Sequence, residues 1–541
     1  MFMTTDTPAA ASANTQPMLV RALLDPARYP DATTSVRMLE THISYVLLTG
    51  RFAYKIKKVV NLGFLDFSSL EQRRFYCEEE LRLNRRLAPE LYSAVVPIGG
   101  TPANPKIGSE TGATHRNARD KCIEYAVKML EFPQAALLDR RLAMGELLPT
   151  EIDALADRVA DFHAQAARTA AGDDYGTPSA VWAPAAENFR QLCAGQNSPL
   201  DRALLNMLEP WSRDEYARLK TFLATRQNDG FVRECHGDLH LGNIALLNGT
   251  PTIFDCIEFN QALRWIDVLS EVAFLTIDLE ERGRPDYAYR FLNRYLEATG
   301  DYAGLRSLPF YRVYRALVRA KVAGIRAAQE TLPDALAQAA IRSQYLVCAR
   351  RASLPGMPRL LLMHGVSGSG KTWVSQALLE RIGALRLRSD IERKRLHGMH
   401  PLARSESAIE RGLYAAETTH ATYEKLEELA RQILQAGFPV IIDAASLKLW
   451  QRQRFRSLCA ALRVPFRMIS CHASEATLHQ RLMARGRAGS DASEAGMAVL
   501  HHQLQNNEPL SIAEQAESIL FDSARDSLDG LLQRIEPALP Q

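Results

Sequence analysis

The sequence predicts an α/β multidomain protein, and three observations support this class. Its 541 residues exceed what one ordinary hydrophobic core accommodates, so about two to four domains are expected. The segment SLPGMP at 353–358 holds two prolines and one glycine and is the best candidate for a linker. After it, apolar strands alternate with helical segments, which indicates a parallel sheet covered by helices on both faces. The predicted organisation is a tail at 1–16, a first domain at 17–352 and a second at 359–541.

Composition and charge describe a globular protein without a broad charged surface. Hydrophobic residues make up 47% of the chain and charged residues 23%, which suits a folded core with a hydrated surface. The 65 Lys and Arg side chains nearly balance 62 Asp and Glu side chains, so the net charge is only +3. We therefore expect no nucleic-acid partner and no membrane association, whereas a small anionic ligand needs only local positive charge.

Three further features indicate a cytoplasmic protein. Residues 1–16, MFMTTDTPAAASANTQ, have neither the basic nor the apolar region of a signal peptide, so a disordered tail is predicted. The apolar runs of the chain fall short of the roughly 18 residues that a membrane span requires. The eight cysteines are scattered without CxxC pairs, as expected for reduced thiols in the cytoplasm.

In the first half, strands come before helices. The stretch THISYVLLTGRFAYKIKKVV predicts two short strands around Gly50 and Arg51, and a helix follows from about Ser69 to Leu87. The Gly-, Pro- and Thr-rich segment at 99–122 predicts a loop between strands. Amphipathic stretches then predict many helices. A cluster of loops and strands, from CHGDLHLGN to PTIFDCIEF, divides these helices into two groups. These helices are expected at about 145–226 and 266–351.

In the second half, strands and helices alternate, starting with a strand and a Gly-rich turn. The strand segments are short and apolar, as the central strands of a parallel sheet are. The predicted strands lie in RLLLMH, LRLR, FPVIIDAA, PFRMISCHA and SILFDS.

The Gly-rich turn fits the pattern G-x-x-x-x-G-K-[ST] in full, and its position between a strand and a helix is that of a phosphate-binding P-loop. Glycines let backbone N–H groups turn toward phosphate oxygens, and the helix N-terminus adds positive potential. Lys371 is predicted to reach the β- and γ-phosphates and to act in catalysis, and the Thr372 hydroxyl to bind Mg²⁺. The alternative is a turn with an incidental lysine. The predicted nucleotide-binding residues are Gly365, Val366, Ser367, Gly368, Ser369, Gly370, Lys371 and Thr372.

Two carboxylates are predicted to face the same crevice, because the carboxyl ends of parallel strands meet at one edge of a sheet. Asp443 ends the apolar run PVII and is expected to hold magnesium, with a helix N-cap as the alternative. Asp390 follows the LRLR strand and is expected to take the proton of an acceptor hydroxyl. Arg393 is predicted to bind an anionic group of the substrate. The alternative for Asp390 and Arg393 is a capped helix with a solvated basic face.

Basic residues precede a Gly-, Ser- and Asp-rich segment late in the chain. Arg481, Arg485 and Arg487 lie in TLHQRLMARGRAGSDAS. On a lid that closes over ATP, such arginines would neutralise charge on the phosphoryl group in transfer, and Arg485 is the one predicted to be catalytic. An exposed basic helix end is the alternative.

The second half, over roughly 358–525, resembles the small P-loop kinases, a group that includes gluconate kinase, polynucleotide kinase and zeta-toxin-like proteins. The resemblance rests on the P-loop and on the segments SDIERKRL and IIDA. It implies phosphoryl transfer from ATP to a hydroxyl, with Asp390 in the position of the acceptor base.

The motif CHGDLHLGN at 235–243 allows three interpretations. Its thiol, imidazoles and carboxylate suggest a metal cage, but they alternate along a short loop and no second ligand cluster accompanies them. Asp238 and Asn243, however, have the D-x-x-x-x-N spacing of a kinase catalytic loop, and Asp255 follows a short apolar strand. Asp238 is then expected to deprotonate the acceptor, Asn243 and Asp255 to hold the metal, and His236 to fix the loop. The third interpretation is a purely structural loop.

A kinase also needs a lysine on a strand, paired with a glutamate on the following helix, to position the α- and β-phosphates. Lys55 and Lys57 in AYKIKK lie on one face of the predicted strand, because side chains alternate with period two. Lys55 with Glu80 is the favoured pair, since Glu80 is in register with the apolar face of the helix. Lys57 stays open as the rival, and two surface lysines are the alternative to both.

These residues resemble the aminoglycoside phosphotransferase branch of the protein-kinase-like fold. The runs YKIKK, FLDFSSLEQRR, CHGDLHLGNI and FDCIEFN…RWIDV are also similar to bacterial proteins that fuse such a domain to a P-loop kinase domain, over about 17–525. The resemblance implies a two-lobe α+β fold, with an N-lobe at about 17–132 and a C-lobe at about 133–352. It further implies a hinge against adenine at 128–132 and support of the catalytic loop by Asp267.

Together these features predict a bifunctional ATP-dependent phosphotransferase. Each half is expected to transfer the γ-phosphoryl group of Mg²⁺-ATP to a hydroxyl of a small molecule. The alternative is a regulatory nucleotide-binding protein, in which one half is a pseudokinase and the P-loop half an ATPase switch. The joint presence of Lys55, Glu80, Asp238, Asn243 and Asp255 argues against a dead first half.

Overall fold

The chain forms two compact units that do not follow the order of the sequence. The computed structural model describes residues 8–61, 63, 65–108, 122–170, 172–195, 197–329, 331–400, 415–488 and 496–535. The first unit comprises Met1–Ala154, Asp161–Pro184 and Lys220–Leu275, and the second comprises Leu155–Ala160, Ala185–Leu219 and Thr276–Gln541. The second unit therefore includes helices on both sides of the predicted linker at 353–358.

A six-stranded antiparallel sheet and two helices form the N-terminal lobe of the first unit. They are α1 (Pro8–Ala22), β1 (Arg37–Glu40), β2 (Ser44–Leu48), β3 (Phe52–Lys57), α2 (Leu70–Asn84), β4 (Tyr92–Thr101), β5 (Asn104–Ile107) and β6 (Glu124–Leu130). The strand order is β1-β2-β3-β6-β4-β5, and apolar side chains such as Leu47 and Ile56 pack with Leu19 of α1. Helix α2 begins at a capping box, in which Ser69 and Gln72 each accept a hydrogen bond from the other's backbone N–H.

The structure differs from the sequence prediction at three places in this lobe. Strand β1 precedes the two strands that were predicted, and β5 lies within the predicted loop at 99–122, of which 109–121 is outside the described residues. Helix α1 begins inside the predicted tail. Buried Gln16 anchors this helix, because its Nε2 donates to Glu124 at 3.0 Å and its Oε1 accepts the Val59 N–H at 2.9 Å. The Ala- and Thr-rich tail lacks the hydrophobic periodicity that marks a surface helix, so its sequence does not reveal this anchor.

Helices dominate the middle of the chain, with short strands between α6 and α7. The elements are α3 (Leu138–Ala143), α4 (Pro149–Gln165), α5 (Pro178–Ala194), α6 (Pro199–Asn228), β7 (Val232–Glu234), β8 (Ile244–Leu247), β9 (Thr250–Ile253), β10 (Trp265–Asp267), α7 (Val268–Glu281), α8 (Pro285–Thr299), α9 (Leu308–Gln329) and α10 (Asp334–Ala352). Strands β7 and β10 form one antiparallel pair, and β8 and β9 form another. The motif at 235–243 is the connection from β7 to β8.

A five-stranded parallel sheet is the centre of the second unit. Its strands and the helices around it are β11 (Leu360–His364), α11 (Lys371–Ile382), β12 (Leu385–Arg388), α12 (Ser389–Leu396), α13 (Ala416–Gln435), β13 (Val440–Asp443), α14 (Leu449–Leu462), β14 (Phe466–His472), α15 (Glu475–Ala488), α16 (Met497–Asn506), α17 (Ile512–Glu517), β15 (Ser518–Asp522) and α18 (Leu528–Ile535). The order is β12-β13-β11-β14-β15, with every neighbouring pair parallel. This parallel sheet, together with the antiparallel sheet and the helices of the first half, confirms the predicted α/β multidomain class.

The sheet order determines where functional side chains can meet. Strands β12, β13 and β11 are neighbours, so the start of α12, Asp443 and the turn after β11 lie at the same edge. Both β11 and β13 are buried along their whole length, which explains why their sequences are apolar up to the last residue, His364 in β11 and Asp443 in β13. In the parts of the chain described above, no helix has both the length and the apolar character to cross a membrane.

Two candidate active sites

The loop between β7 and β8 places Asp238 and Asn243 side by side. The Asn243 Nδ2 donates to the Asp238 Oδ2 and to the Asp238 carbonyl oxygen, both at 3.0 Å. The His240 Nε2 lies 3.4 Å from the same carboxylate oxygen. These contacts orient the Asp238 carboxylate, while 36% of the side chain stays exposed to solvent.

Asp255 follows β9 and directs its carboxylate at Lys55. Its φ of +65° is in the left-handed region, which is strained for a residue with a side chain. The Asp255 N–H donates to the Tyr92 hydroxyl at 3.2 Å, and the Phe254 N–H donates to the Asn243 carbonyl at 3.0 Å. The Asp255 carboxylate, 44% exposed, accepts a hydrogen bond from Lys55 Nζ at 2.5 Å. The strained turn thus holds this carboxylate against Lys55, next to the residue that is bonded to the loop at 235–243.

Both candidate lysines contact Glu80, which is buried on α2. Lys55 Nζ donates to Glu80 Oε1 at 2.8 Å, and Lys57 Nζ donates to Glu80 Oε2 at 2.7 Å. Lys55 also reaches Asp255, whereas fully buried Lys57 reaches buried Glu258. Burial raises the pKa of Glu80, but the two ammonium groups outweigh this effect and lower it to about 2. Lys55 is therefore the lysine beside the predicted metal ligand, and Lys57 belongs to the core.

A buried glutamate supports the loop at 235–243, and the sequence reasoning missed it. Glu271 on α7 accepts the backbone N–H groups of His236 and Gly237, at 2.7 and 3.0 Å. It also lies 3.0 Å from His163 Nε2. The His236 ring fixes the other side of the loop, with Nε2 2.9 Å from the Phe254 carbonyl oxygen. No local motif marks Glu271, because it acts on the loop from a helix farther along the chain.

Glu271→Gln is expected to make the stability of the first unit less sensitive to acid. Burial raises the pKa of Glu271, but the contacts with His163 and the Gly237 N–H outweigh it and lower the pKa from 4.5 to about 2. Because the folded-state pKa is lowered, the carboxylate stabilises the fold above pH 4.5, and this stabilisation is lost as the pH falls toward 2. The free energy of unfolding, measured in urea, should therefore fall more steeply between pH 4.5 and 2 in the wild type than in the variant. If the free energy of unfolding depended on pH equally in the two proteins, the prediction would be contradicted.

Asp267, which the resemblance placed beneath the catalytic loop, orients the helix that carries Glu271. Its carboxylate accepts hydrogen bonds from Arg226 Nε at 2.5 Å and from Arg226 Nη2 at 2.8 Å. It also accepts the Leu269 N–H at 2.9 Å, in the first turn of α7. Asp267 thus joins α6 to the start of α7.

The structure contradicts a metal cage built from CHGDLH. Both ring nitrogens of His236 are engaged, Nε2 with a backbone carbonyl and Nδ1 with the Asp238 N–H at 3.3 Å. Within the described ranges, the one group of three or more His, Cys and acidic side chains close enough to share an ion is His163, Cys235 and Glu271. All three are buried, and Glu271 already accepts the backbone hydrogen bonds of the loop, so this group is part of the loop's support.

The P-loop joins β11 to α11, as predicted. Gly365, Gly368 and Gly370 have φ values of +136°, +84° and +92°. A Cβ atom at Gly365 would lie 2.3 Å from a backbone oxygen, so this position requires glycine. Lys371 Nζ donates to the Val366 carbonyl at 2.8 Å, so the lysine folds back across the loop.

Asp443 is the last residue of β13 and is buried beside the P-loop helix. Its Oδ2 accepts a hydrogen bond from the Ser375 hydroxyl at 3.0 Å. The next helix, α14, begins only at Leu449, so the alternative that Asp443 is a helix N-cap is wrong. Asp443 and Thr372, the two predicted magnesium ligands of this half, line the same cavity.

That cavity has a volume of about 820 Å³ and extends from the P-loop to the start of α12. Asp390, in the first turn of α12, pairs with Arg393 at 2.9 Å. The Arg393 side chain is only 10% exposed, so the alternative of a solvated basic face does not apply to it. The charged residues that line the cavity are Lys371, Arg388, Asp390, Arg393, Asp443, Lys448 and Arg481.

Arg481 lies on α15, at the base of the predicted lid. Its guanidinium donates to the Gly368 carbonyl at 3.2 Å and to the Ser523 hydroxyl at 2.7 Å. It therefore braces the P-loop and is not an ordinary exposed helix end. The side chains of Arg485 and Arg487 lie outside the described residues, so their roles on a lid stay predictions.

Solved structures that are similar to parts of this chain include two kinases. A choline/ethanolamine kinase family protein from Mesorhizobium loti is 12% identical, with a TM-score of 0.37, and the match covers 62% of this chain and 99% of that one. A gluconokinase from Sinorhizobium meliloti is 21% identical, with a TM-score of 0.23, and the match covers 33% of this chain and 89% of that one.

Family models and curated relatives extend over most of the chain. The model of the phosphotransferase enzyme family matches residues 73–308, and an AAA domain model matches residues 360–510. The uncharacterized proteins Rv2004c of Mycobacterium tuberculosis and Mb2027c of Mycobacterium bovis are each 31% identical over 461 residues, which is 85% of this chain and 88% of theirs. The chain therefore belongs to the same family as these mycobacterial proteins, and it joins a domain of the phosphotransferase enzyme family to a P-loop kinase domain.

Proposed function

We propose that the chain is a bifunctional ATP-dependent phosphotransferase, in which each half transfers the γ-phosphoryl group of ATP to a hydroxyl of a small molecule. The observation that supports this most is the position of Lys55, which bonds to both Glu80 and Asp255. The residue before Asp255, Phe254, donates its backbone N–H to the Asn243 carbonyl. The Asn243 side chain in turn donates to the Asp238 carboxylate. A pseudokinase has no need of all five groups in one crevice, so the regulatory alternative is less well supported.

In the first site, the residues divide into a nucleotide side and an acceptor side. Lys55, held by Glu80, would bind the α- and β-phosphates. Asn243 and Asp255 offer an amide and a carboxylate, which suit Mg²⁺, and the ion would offset phosphate charge. Asp238 would accept the proton of the attacking hydroxyl, since Asn243 orients its carboxylate and part of it is open to solvent.

In the second site, the P-loop would bind phosphate through its backbone N–H groups and Lys371. The Thr372 hydroxyl and the Asp443 carboxylate are oxygen ligands of the kind that Mg²⁺ prefers. Asp390 lines the same cavity and would take the proton of the acceptor hydroxyl. Arg485 would stabilise the phosphoryl group in transfer from a closing lid.

Two single-site variants test this proposal in the full-length protein. Lys55→Ala should silence the first site and Lys371→Ala the second, and each should leave the other reaction intact. The assay is transfer of label from γ-labelled ATP to a panel of hydroxylated metabolites, together with phosphate release. If neither variant changes transfer or release, the phosphotransferase proposal fails. If only one variant has an effect, the other half is regulatory.

A further inference from the structure

Within the second unit, helix α8 holds the edge strand β12 of the parallel sheet. The Asn293 Nδ2 donates to the Ala384 carbonyl at 3.0 Å, and its Oδ1 accepts the Arg386 N–H at 2.7 Å. The buried side-chain amide thus satisfies backbone groups that a neighbouring strand would otherwise satisfy. Helix α8 lies in the region matched by the phosphotransferase enzyme family model, whereas β12 lies in the region matched by the AAA domain model.

A buried ion pair accompanies this contact. Glu297 Oε1 on α8 accepts hydrogen bonds from Arg386 Nε at 3.3 Å and from Nη2 at 3.2 Å, and both side chains are almost fully buried. The Glu297 carbonyl oxygen also accepts a hydrogen bond from Arg395 of α12, the helix that carries Asp390. Glu297 therefore contacts both elements that border the cavity on this side of the sheet.

From Arg386 the contacts continue to the predicted magnesium site. Arg386 Nη1 donates to the Ser375 hydroxyl oxygen at 3.4 Å. That hydroxyl lies 3.0 Å from Asp443 Oδ2 and 3.1 Å from the Thr372 carbonyl oxygen. A hydroxyl has one proton to donate, and a charged carboxylate is the stronger acceptor. Arg386 donates to the hydroxyl oxygen, so the Ser375 proton is left for one of these two acceptors, of which the Asp443 carboxylate is the nearer and the stronger.

We propose that Glu297 and Arg386 are positioning residues of the second active site. They fix the Ser375 hydroxyl, which in turn holds the Asp443 carboxylate in the orientation needed for a magnesium ligand. The second site then depends on a helix from the first family's region, so the two halves are not independent enzymes on one chain. The inference rests on the function proposed above for the P-loop site.

The test uses the full-length chain with Lys55→Ala, which is expected to silence the first site. ATP hydrolysis and binding of a fluorescent ATP analogue are measured as functions of Mg²⁺ concentration. Glu297→Gln should lower kcat about tenfold and raise the Mg²⁺ concentration needed for half-maximal activity by a similar factor. The KM for ATP at saturating Mg²⁺ should change little, because the P-loop contacts are untouched.

Glu380→Gln is the matched control. This variant breaks another ion pair of α8, the one between Arg290 and Glu380 of α11 at 2.7 Å. That pair does not involve Ser375 or Asp443. This variant should keep the wild-type Mg²⁺ dependence. If Glu297→Gln behaves like Glu380→Gln, the inference is overturned.

Two further variants separate positioning from folding. Ser375→Ala keeps the ion pair between Glu297 and Arg386 but removes its link to Asp443, so it should shift the Mg²⁺ dependence as Glu297→Gln does. An unshifted Ser375→Ala would overturn the inference even if Glu297→Gln failed to fold. Lys371→Ala tests the proposed function separately: if it leaves ATP hydrolysis unchanged, the second site is not the source of that activity.

Discussion

Lys57→Met is expected to lower the free energy of unfolding of the N-terminal lobe by roughly 3–5 kcal/mol. Lys57 has no exposed side-chain surface, and its ammonium group lies between the buried carboxylates of Glu80 and Glu258. Burial lowers the pKa of Lys57, but Glu258 and Glu80 outweigh this effect and raise it above the ordinary value, so the lysine is charged in the fold. Removing the cation leaves two buried carboxylates near a single remaining lysine, Lys55.

Lys55→Met is the matched control on the same strand. Lys55 also contacts Glu80, but its other partner, Asp255, is partly exposed, so water can hydrate that carboxylate after the change. We expect a smaller loss of stability than for Lys57→Met and a larger loss of ATP binding. Hydrogen exchange of the β3 and β6 amides measures the stability of this lobe separately from that of the rest of the chain. A Lys55→Met protein less stable than Lys57→Met would contradict this division of roles.

The choice between these lysines shows where sequence reasoning ends. Alternation along β3 puts Lys55 and Lys57 on one face, and both in fact reach Glu80. What distinguishes them is a second partner, Asp255 or Glu258, at a separation of 200 or 201 residues along the chain. Period-two patterning contains no information about such contacts, so the sequence leaves two candidates for the proposed ATP lysine, and only the tertiary structure shows that their second partners differ.

The P-loop half was more predictable, because its geometry follows from local order. A buried parallel strand that ends in Asp443 must deliver the carboxylate to the edge where the P-loop begins, and the structure places both there. The supporting residues were not predictable. Glu271 and Glu297 are buried acceptors on helices, and their partners are a distant loop and a distant strand. Helical periodicity predicts that such residues face inward or outward, but not what they contact.

Asp238→Asn is expected to reduce phosphoryl transfer at the first site by about 10²–10⁴-fold while ATP binding is retained. Asparagine has the shape of aspartate, and its side-chain oxygen can still accept the hydrogen bond that Asn243 Nδ2 donates at 3.0 Å. The loop should therefore keep its conformation, which Glu271 also supports from the other side. What the variant loses is a group able to take the proton of the acceptor hydroxyl.

The measurement uses a Lys371→Ala background, so that transfer at the second site does not hide the loss. Transfer to the acceptor panel and binding of a fluorescent ATP analogue are compared with and without Asp238→Asn. Undiminished transfer would mean that another group takes the proton, and His240, with Nε2 3.4 Å from the Asp238 carboxylate, would be the next to test. Loss of ATP binding along with transfer would instead place Asp238 on the nucleotide side of the site. Only the loss of transfer with retained binding agrees with an acceptor base, because that combination separates the proton-accepting group from the residues that hold the phosphates.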